Sequence, residues 1–515
     1  MQGALPPELW RLIIECLDRD NTRICLFVSH AFHSIALPSV FRHVNLHFGI
    51  WELSDVASLR GLGSKAKGFT IRSWKILTKI TTDPDFAVLV KSLAVYLFPG
   101  EDRSGEEDTL YPFALCLLLE AIRVLAPSLN SVSWFGYSLP IVMSTLAQCT
   151  GSTLQHLVIP FSVVLHNHDL LTSFTDLRSI IVDSGRPNEF VHLYQRDTWI
   201  MNVEQLTGFV RRNSSTLTHL SIVGDLAYSL LAPSFVGLQS LELRQEGGIS
   251  ALASVLQHCQ SLRELTLLLS IMDVGFDVVD LTAAIAPGTL PHLTSFRLDL
   301  GDQPEDEDLC WDTIKTLVDF LKGKRSLRRL DVVPADLPPS RHTRGRRLQP
   351  LFDVLRELPA LDTLALKLGE HCDANTVEHL DTCVPLGVRA LRIGCLFYDI
   401  GLDDALLSLA RRRNSLGYFH VLTFESGNTE LKERLLNDPP RALRLYGDGP
   451  YLWDVPRPGS ANEGRGTSEH WSALKTKFRT AEDFGDEDWE WLLRHRGARD
   501  YDFEFGNASG IPVAL

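Results

Sequence analysis

Residues 262–267 read Leu-Arg-Glu-Leu-Thr-Leu, and versions of this phrase with aliphatic substitutes recur along most of the chain. One such phrase would indicate only a short strand, because alternating apolar side chains line one face of a strand. Recurrence at a spacing of roughly 20–35 residues, with helical patterns in between, is typical of stacked strand–helix repeats. The copies begin at Leu154, Leu177, Leu217, Leu238, Leu262, Leu293, Leu327, Leu361, Val388 and Leu416, with an early copy at Leu129 and a degenerate last copy at Leu443.

The phrase resembles the leucine-rich repeat. The resemblance implies an α/β fold in which parallel strands line a concave face and helices cover the convex face. Leu265 and Leu267 would then point into the core, since side chains alternate along a strand. Leucine-rich repeats usually place Asn or Cys three positions after the last aliphatic residue, and this chain has no such ladder. We therefore predict an irregular leucine-rich-repeat solenoid over residues 89–446.

A different pattern stands at the N-terminus, where residues 5–9 read Leu-Pro-Pro-Glu-Leu and open an apolar column through Ile13 and Leu17. Proline suits the first turn of a helix, because its missing N–H has no intrahelical partner there. Val28 and Phe32 begin a second apolar helix face that ends near Pro38. Three helices this short cannot bury all of these side chains among themselves. Some of the apolar surface must therefore meet another part of the chain or a partner.

Residues 4–46 resemble the F-box family, whose three short helices bind the Skp adaptor of cullin-type ubiquitin ligases. The resemblance assigns adaptor binding to Leu5, Pro6, Pro7, Leu9, Ile13, Leu17, Val28, Ser29, Phe32 and Pro38. It implies a substrate receptor of an SCF-type ligase, with the Skp adaptor and, through it, a cullin scaffold as partners. Two alternatives stay open. The chain could be an F-box scaffold without a ubiquitylation target, or a leucine-rich interaction module whose N-terminal helices only cap the solenoid.

Composition narrows the remaining function classes. The 515 residues carry a formal net charge of −14, which argues against nucleic-acid binding because that binding needs clustered cations. Nine scattered cysteines fit free thiols in the cytoplasm or nucleus better than a disulfide framework. The most apolar run is too short to cross a membrane. Enzyme and metal motifs are missing from the sequence, so we expect no catalytic residues, no metal and no cofactor.

The flanks of the solenoid have their own composition. Residues 47–88 are interpreted as a linker or an N-terminal cap of the solenoid, and residues 447–470, rich in Gly, Pro and Ser, as a second linker. Residues 471–515 contain Trp489 and Trp491 beside acidic residues. They are interpreted as a C-terminal cap or tail, because the open apolar end of a solenoid must be covered.

The concave face is the predicted site for a target protein. In each phrase the residue between the last two aliphatic residues should point out of the sheet, and in the C-terminal half these positions and their neighbours are net basic. We expect them to prefer an acidic or phosphorylated segment, because arginine binds such groups bidentately. The acidic tail around Asp486-Glu487-Asp488-Trp489 could compete for the face. The alternative is a mixed solvated surface without a ligand. The predicted target-binding residues are Arg244, Arg297, Arg329, Lys367, Arg392, His420 and Arg444.

Overall fold

The structure is a computed structural model, and the chain divides into two compact units with the boundary in sequence between Leu220 and Ser221. Each unit is described by itself. The described residues are 5–17, 19–49, 59–98, 111–136, 139–160, 163–164, 168–183, 206–223, 235–246, 252–270, 278–300, 307–333, 344–368, 371–395, 397–398, 401–422, 429–449, 451–455, 471 and 486–493.

Three short helices open the first unit: α1 (Pro7–Glu15), α2 (Arg19–Cys25) and α3 (His30–Phe41). Pro7 occupies the first turn of α1, as its missing N–H allows. The three helices pack around a small core of Ile14, Cys25 and Ala36. Helix α3 continues through Pro38 to Phe41 and so passes the end that the proline indicated.

The rest of the first unit alternates strands and helices. Strands β1 to β5 pair in sequence order, and every pair is parallel. The first strand precedes residue 89, where the sequence analysis starts the solenoid. The strands are β1 (His43–Gly49), β2 (Ser92–Phe98), β3 (Ser131–Gly136), β4 (His156–Pro160) and β5 (Ser179–Asp183), with β6 (His219–Val223) at the boundary. The helices are α4 (Leu59–Thr82), α5 (Pro84–Leu89), α6 (Tyr111–Leu125), α7 (Pro140–Thr150) and α8 (His168–Leu171), followed by helical residues 206–213.

The second unit repeats the same arrangement. Its main sheet consists of the parallel strands β7 (Ser240–Glu246), β8 (Glu264–Ser270), β9 (Ser295–Asp299), β10 (Arg329–Val333), β11 (Thr363–Lys367), β13 (Ala390–Gly394), β15 (Tyr418–Leu422) and β16 (Leu445–Asp448), followed by the antiparallel β17 (Tyr451–Asp454). A separate pair joins β12 (His371–Cys372) to β14 (Phe397–Tyr398). The helices are α9 (Leu252–His258), α10 (Val278–Ala284), α11 (Glu307–Leu321), α12 (Arg344–Leu355), α13 (Ala374–Cys383), α14 (Leu402–Arg412), α15 (Thr429–Asn437) and α16 (Glu487–Leu493).

The repeated aliphatic residues form the core, as the alternation predicts. Leu265 and Leu267 are buried, and so are their partners Phe296 and Leu298 in the next strand. Neighbouring strands thus bury matching side chains at the same height, and each strand satisfies the backbone of the next. The predicted α/β leucine-rich-repeat-type fold is confirmed, with parallel strands on one side and helices on the other. Of the helices in the described ranges, none is both long and apolar enough to cross a bilayer.

Buried polar side chains of different types form the hydrogen bonds to the backbone that an asparagine ladder would otherwise form. The Asn213 side chain accepts a hydrogen bond from Leu177 N–H at 2.9 Å and donates to the carbonyls of Phe174 and Phe209. In a later repeat, Arg413 donates to the carbonyls of Asp381 and Val384 at 3.0 and 3.1 Å. Except for the bond to Phe209, which lies in the same helical segment as Asn213, these bonds satisfy backbone groups of the preceding repeat, which would otherwise be buried without a partner. Because the residue type changes from repeat to repeat, the loops also change, and the solenoid is irregular.

Candidate interaction surfaces

The N-terminal helices carry an exposed apolar surface. Leu9 and Ile13 on α1 are 44% and 43% exposed, and Leu5, Leu17 and Val28 are exposed as well. Large apolar side chains scattered singly over a surface need no explanation, whereas contiguous exposed apolar patches are typical of interaction surfaces. The structure therefore brings most of the predicted adaptor-binding side chains to the surface of one three-helix unit.

Other predicted adaptor-binding residues shape these helices instead. The Ser29 hydroxyl caps α3 by accepting a hydrogen bond from Phe32 N–H at 3.2 Å. The Phe32 ring is half-buried and packs against Trp10, with 4.9 Å between ring centroids. Pro6 and Pro7 are exposed at the start of α1, and Pro38 is half-buried within α3.

Three further exposed apolar residues, not predicted from the sequence, lie on these helices or in the turn between α2 and α3. They are Leu12, Ile24 and Phe27, and the Phe27 side chain is 87% exposed. Leu12 stood beside the apolar column but was not assigned a role, and Ile24 and Phe27 lie outside the column that defined the motif. A plain count of apolar residues around α1 and α2, without reference to a family pattern, would have found them.

The second candidate surface is the concave face of the second unit, formed by the residues that alternate with the repeat aliphatics. Strand pairing aligns these residues in rows across the sheet. We name as the central row Glu242, Thr266, Arg297, Asp331, Ala365, Arg392, His420 and Gly447. We name as the leading row, two residues earlier in each strand, Ser240, Glu264, Ser295, Arg329, Thr363, Ala390, Tyr418 and Leu445.

Helix α16 lies on this face, in contact with β11 and β13. Its apolar side chains share one buried cluster with residues of the leading and central rows. The cluster comprises Ala365, Ala390, Tyr418, Leu445, Leu452, Trp471, Trp489, Trp491, Leu492 and Leu493. The cap interpretation instead put the tail at the end of the stack. There the antiparallel β17 is the last strand of the sheet, so α16 is not needed at that end.

Arg297 is buried at the centre of this contact. Its guanidinium lies 2.9 Å from the carboxylate of Asp331, and both side chains are 0% exposed. The guanidinium also donates to the backbone carbonyl of Trp491 and stands 4.4 Å from the centre of the Trp491 ring. This geometry combines a buried ion pair with a cation–π contact. Arg297 thus points out of the sheet, as predicted, but α16 covers it.

Arginines bind both ends of α16. At its C-terminal end, Arg392 donates to the carbonyl of Leu492 at 2.8 Å. The last carbonyls of a helix lack intrahelical partners and carry partial negative charge, so a guanidinium there is favourable. At its N-terminal end, Arg329 lies 2.6 Å from the carboxylate of Asp488. The two ends of the helix are therefore recognised by cations of the concave face.

The acidic residue before α16 completes the contact. The Asp486 side chain accepts a hydrogen bond from Asp488 N–H at 2.9 Å and so caps the helix. It also lies 3.3 Å from the exposed guanidinium of Arg389. Burial raises the pKa of Asp486, and the neighbouring Asp488 charge adds to the rise. Docking of α16 thus desolvates an acid as well as the arginines.

The remaining predicted target-binding residues fall into three situations. Arg244 is paired with Glu242 at 2.9 Å, and Lys367 is half-buried at the end of β11. His420 is buried between the Tyr418 hydroxyl, 2.7 Å from Nδ1, and the Gly449 carbonyl, 2.8 Å from Nε2. A carbonyl only accepts, so Nε2 carries the proton and Nδ1 accepts from the hydroxyl.

Arg444 does not lie in the row to which the sequence analysis assigned it. Strand pairing sets Leu445 level with Tyr418 and Tyr446 level with Phe419, so Arg444 precedes β16. The residue level with His420 is Gly447, so the interpretation of Leu443-x-Leu445 as the end of a phrase is wrong by three residues. A shift by an odd number of residues exchanges the two faces of a strand, and Leu445 points toward α16.

One group of possible metal ligands lies on the helices of the second unit. Ligand atoms of Asp353, His379 and Cys383 all lie within 4.8 Å of one another. His379 and Cys383 are one turn apart on α13, with 3.8 Å between Nε2 and Sγ, and the Arg356 guanidinium lies 3.5 Å from the Asp353 carboxylate. A structural zinc site normally has four ligands, and this group has three ligands and a cation beside one of them. It is therefore a weak candidate for a metal site.

No protein-family model matches the chain, and no curated protein matches it either. Solved structures resemble it at low identity. Rad7 in complex with Elc1 from yeast has 16% identity and a TM-score of 0.36, over 70% of this chain and 72% of that one. The leucine-rich repeat-containing protein LegL7 from Legionella pneumophila has 12% identity and a TM-score of 0.32, over 74% and 91%. The complex of TLR13 with ssRNA13 has 12% and 0.32, over 71% and 54%. These likenesses concern the backbone fold and assign no function to this chain.

Proposed function

We propose that this chain is the substrate-recognition subunit of an SCF-type ubiquitin ligase. Its N-terminal helices bind the Skp adaptor, which links the chain to a cullin scaffold, and its leucine-rich-repeat-type solenoid binds a target protein. The proposed ligase acts in the cytoplasm or nucleus. The observation that carries the proposal is the exposed apolar surface of α1 and α2, on the segment whose sequence resembles an F-box.

The energetics of that surface favour a protein partner. Burying a leucine or phenylalanine side chain contributes about 1.5–3 kcal/mol. Leu9 and Ile13 are already more than half buried, whereas the Phe27 side chain is 87% exposed, so Phe27 has the most apolar surface to bury against a partner. On the buried side of the helices, Ile14 and the Trp10–Phe32 contact already hold the three helices together. The exposed side chains are thus available to a partner without loss of the helical core.

The chain's own part in ubiquitin transfer is positional. It holds a target near the activated ubiquitin, and the linkage raises the effective concentration of target lysines. No catalytic group of this chain takes part in the proposal. An F-box scaffold that binds the adaptor without a ubiquitylation target would use the same apolar surface, so the two functions differ only in the fate of the bound protein.

A second candidate function rests on a specific contact. The Phe41 ring at the end of α3 packs against Phe86 of α5, with 4.9 Å between ring centroids, and the backbone carbonyl of Arg42 accepts hydrogen bonds from Lys91 and Ser92 at 2.9 Å. These bonds tie α3 to the first strands of the sheet. They support the alternative of a leucine-rich interaction module whose N-terminal helices serve to cap the solenoid.

A double substitution separates these functions. Leu9→Asp with Ile13→Asp puts two carboxylates on the exposed apolar face, and burying either without a partner costs several kcal/mol. We expect the variant to lose adaptor binding in a pull-down with the purified Skp adaptor while its melting temperature stays unchanged. Arg11→Asp is the matched control, because Arg11 lies on the opposite side of α1 and is exposed.

The outcomes assign the function. Undiminished adaptor binding by the double variant would refute the proposed surface, and a lowered melting temperature without any adaptor binding by the wild type would favour the cap function. Affinity purification with and without proteasome inhibition then distinguishes receptor from scaffold. A co-purifying protein that accumulates under inhibition is a ubiquitylation target.

A further inference from the structure

Helix α16 has the properties of a docked ligand. It has seven residues, and a helix this short is not stable on its own in water, so the face it contacts must hold it. Its apolar side chains are buried in the cluster on the concave face. The Asp488 side chain and the carbonyls of Trp491 and Leu492 pair with arginines of that face.

Small residues of the concave face make room for its aromatic side chains. Ala365 and Ala390 are fully buried beneath the cluster that contains Trp489 and Trp491. A Cβ atom placed on Gly417 would lie 3.0 Å from the Trp489 ring, so the ring sits directly on the backbone there. A surface that only faced water would not need alanine and glycine at these positions. The face is shaped to accept bulky side chains.

The charges of the face select a helix with a particular polarity. Arg329 and Arg389 pair with acidic side chains where α16 begins, at 2.6 and 3.3 Å. Arg297 and Arg392 donate to backbone carbonyls where it ends. The first pair requires acidic residues, whereas the second pair requires only a helix end. Any short helix that starts with acidic residues and carries aromatic and leucine side chains would satisfy the same groups.

Desolvation weakens this contact. Docking removes water from the Arg297–Asp331 pair and from Asp486, and the lost hydration offsets much of the Coulombic gain. Because α16 belongs to the same chain as this face, it is present there at a high effective concentration without additional contacts. Such an intramolecular ligand can be exchanged for a partner segment that makes the same contacts.

We propose that the concave face binds a partner protein through a short helix that begins with acidic residues and carries paired aromatic and leucine anchors, as in Asp-Trp-x-Trp-Leu-Leu of residues 488–493, and that α16 is the built-in competitor for this segment. The proposal deepens the target-binding half of the proposed function and does not depend on the adaptor-binding half. A target with this segment would displace α16.

The test uses the full-length chain and a fluorescein-labelled peptide of residues 485–496 as the probe, with binding read by fluorescence anisotropy. In the receptor variant Trp489→Ala with Trp491→Ala, the chain's own tail loses its anchors and the face is free. We expect this variant to bind the peptide at least tenfold more tightly than the wild type does. A peptide that carries the same two alanine substitutions should not bind.

Exchanging the charges of Arg329 and Asp488 then tests whether the peptide binds at the proposed site. Adding Arg329→Glu to the receptor variant should weaken peptide binding at least tenfold, and a peptide with Asp488→Arg should recover part of the loss. Arg244→Glu is the matched control, since Arg244 lies on the same face and is paired with Glu242 at 2.9 Å. If Arg329→Glu and Arg244→Glu weaken peptide binding equally, the peptide responds to the overall charge of the protein. That result would contradict the proposed binding site.

Two further results would overturn the proposal. One is a receptor variant that melts cooperatively like the wild type and binds no peptide, because the face would then be free and still not accept the segment. The other is a loss of cooperative melting both in the receptor variant and in Asp488→Arg, which keeps both tryptophans. In that case α16 would be a permanent part of the fold. None of these substitutions lies in the N-terminal helices, so we expect adaptor pull-downs to be unchanged, and failure here is distinguishable from failure of the proposed ligase function.

Discussion

Replacing Arg297 by methionine tests whether the central arginine of the concave face is buried in solution. The substitution keeps most of the side-chain length and removes the guanidinium. Asp331 then stays in a site with 0% exposure after losing an ion partner at 2.9 Å. The carbonyl of Trp491 loses its donor, and the Trp491 ring loses the cation 4.4 Å from its centre.

The expected cost is about 3–5 kcal/mol, the usual loss when one partner of a buried ion pair is removed. For a unit of this size that loss lowers the melting temperature by roughly 6–20 °C. Replacing both partners, Arg297→Met with Asp331→Leu, removes the uncompensated carboxylate and should recover most of the loss. Arg244→Met is the control on the same face. Its pair with Glu242 keeps some access to water, with both side chains 14% exposed, so we expect a smaller loss than for Arg297→Met.

Urea denaturation followed by tryptophan fluorescence measures these effects, because Trp489 and Trp491 are buried in the contact and report its loss. A double-mutant cycle over Arg297 and Asp331 isolates the pair from other changes. If Arg297→Met costs no more than Arg244→Met, the guanidinium is solvated and α16 is not docked on it. That result would refute the buried geometry and would leave Arg297 accessible to a target, as the sequence analysis predicts.

Three other predictions concern separate parts of the chain. Gly447→Ala should lower the free energy of unfolding by about 1–3 kcal/mol, as overpacking does, because the added Cβ would overlap the His420 ring. In the His420→Ala background the same substitution should lower the melting temperature by less. Burial lowers the pKa of His47 from 6.5 to about 4, so the folded first unit holds this side chain neutral where the unfolded chain is protonated. Its stabilising effect is present above pH 6.5 and lost as the pH falls toward 4, by up to about 3 kcal/mol, and His47→Phe should flatten the dependence of the urea midpoint on pH over that range. Chelation by EDTA should leave the melting temperature unchanged, since Cys383 and its neighbours have only three ligands of a metal site; a drop restored by zinc would contradict this expectation.

The fold could be predicted from the sequence because its signal is local and repeated. Each phrase states which side chains point inward, as at Leu265 and Leu267, and alternation along a strand leaves no other choice once one face is buried. The predicted register of the last repeat was wrong because both Leu443 and Leu445 are apolar and buried. Leu445 is apolar for a different reason, the contact with α16. The local pattern cannot distinguish a side chain buried in the core from one buried under a tail.

The positive charge of the concave face could be predicted from the sequence, whereas the contacts that its arginines make could not. A row of arginines and an acidic tail in one chain indicate mutual attraction, and Arg329 with Asp488 forms the kind of pair that this reasoning expects. Arg297 and Arg392 instead bind backbone carbonyls at the end of a helix. Every residue has a backbone carbonyl, so the residue types in the sequence do not indicate which carbonyls these arginines bind. The sequence did contain one unused signal. Tyr418 and Leu445 are large apolar residues at positions that point out of the sheet, and neighbouring apolar side chains on a supposedly solvated face indicate that something covers it.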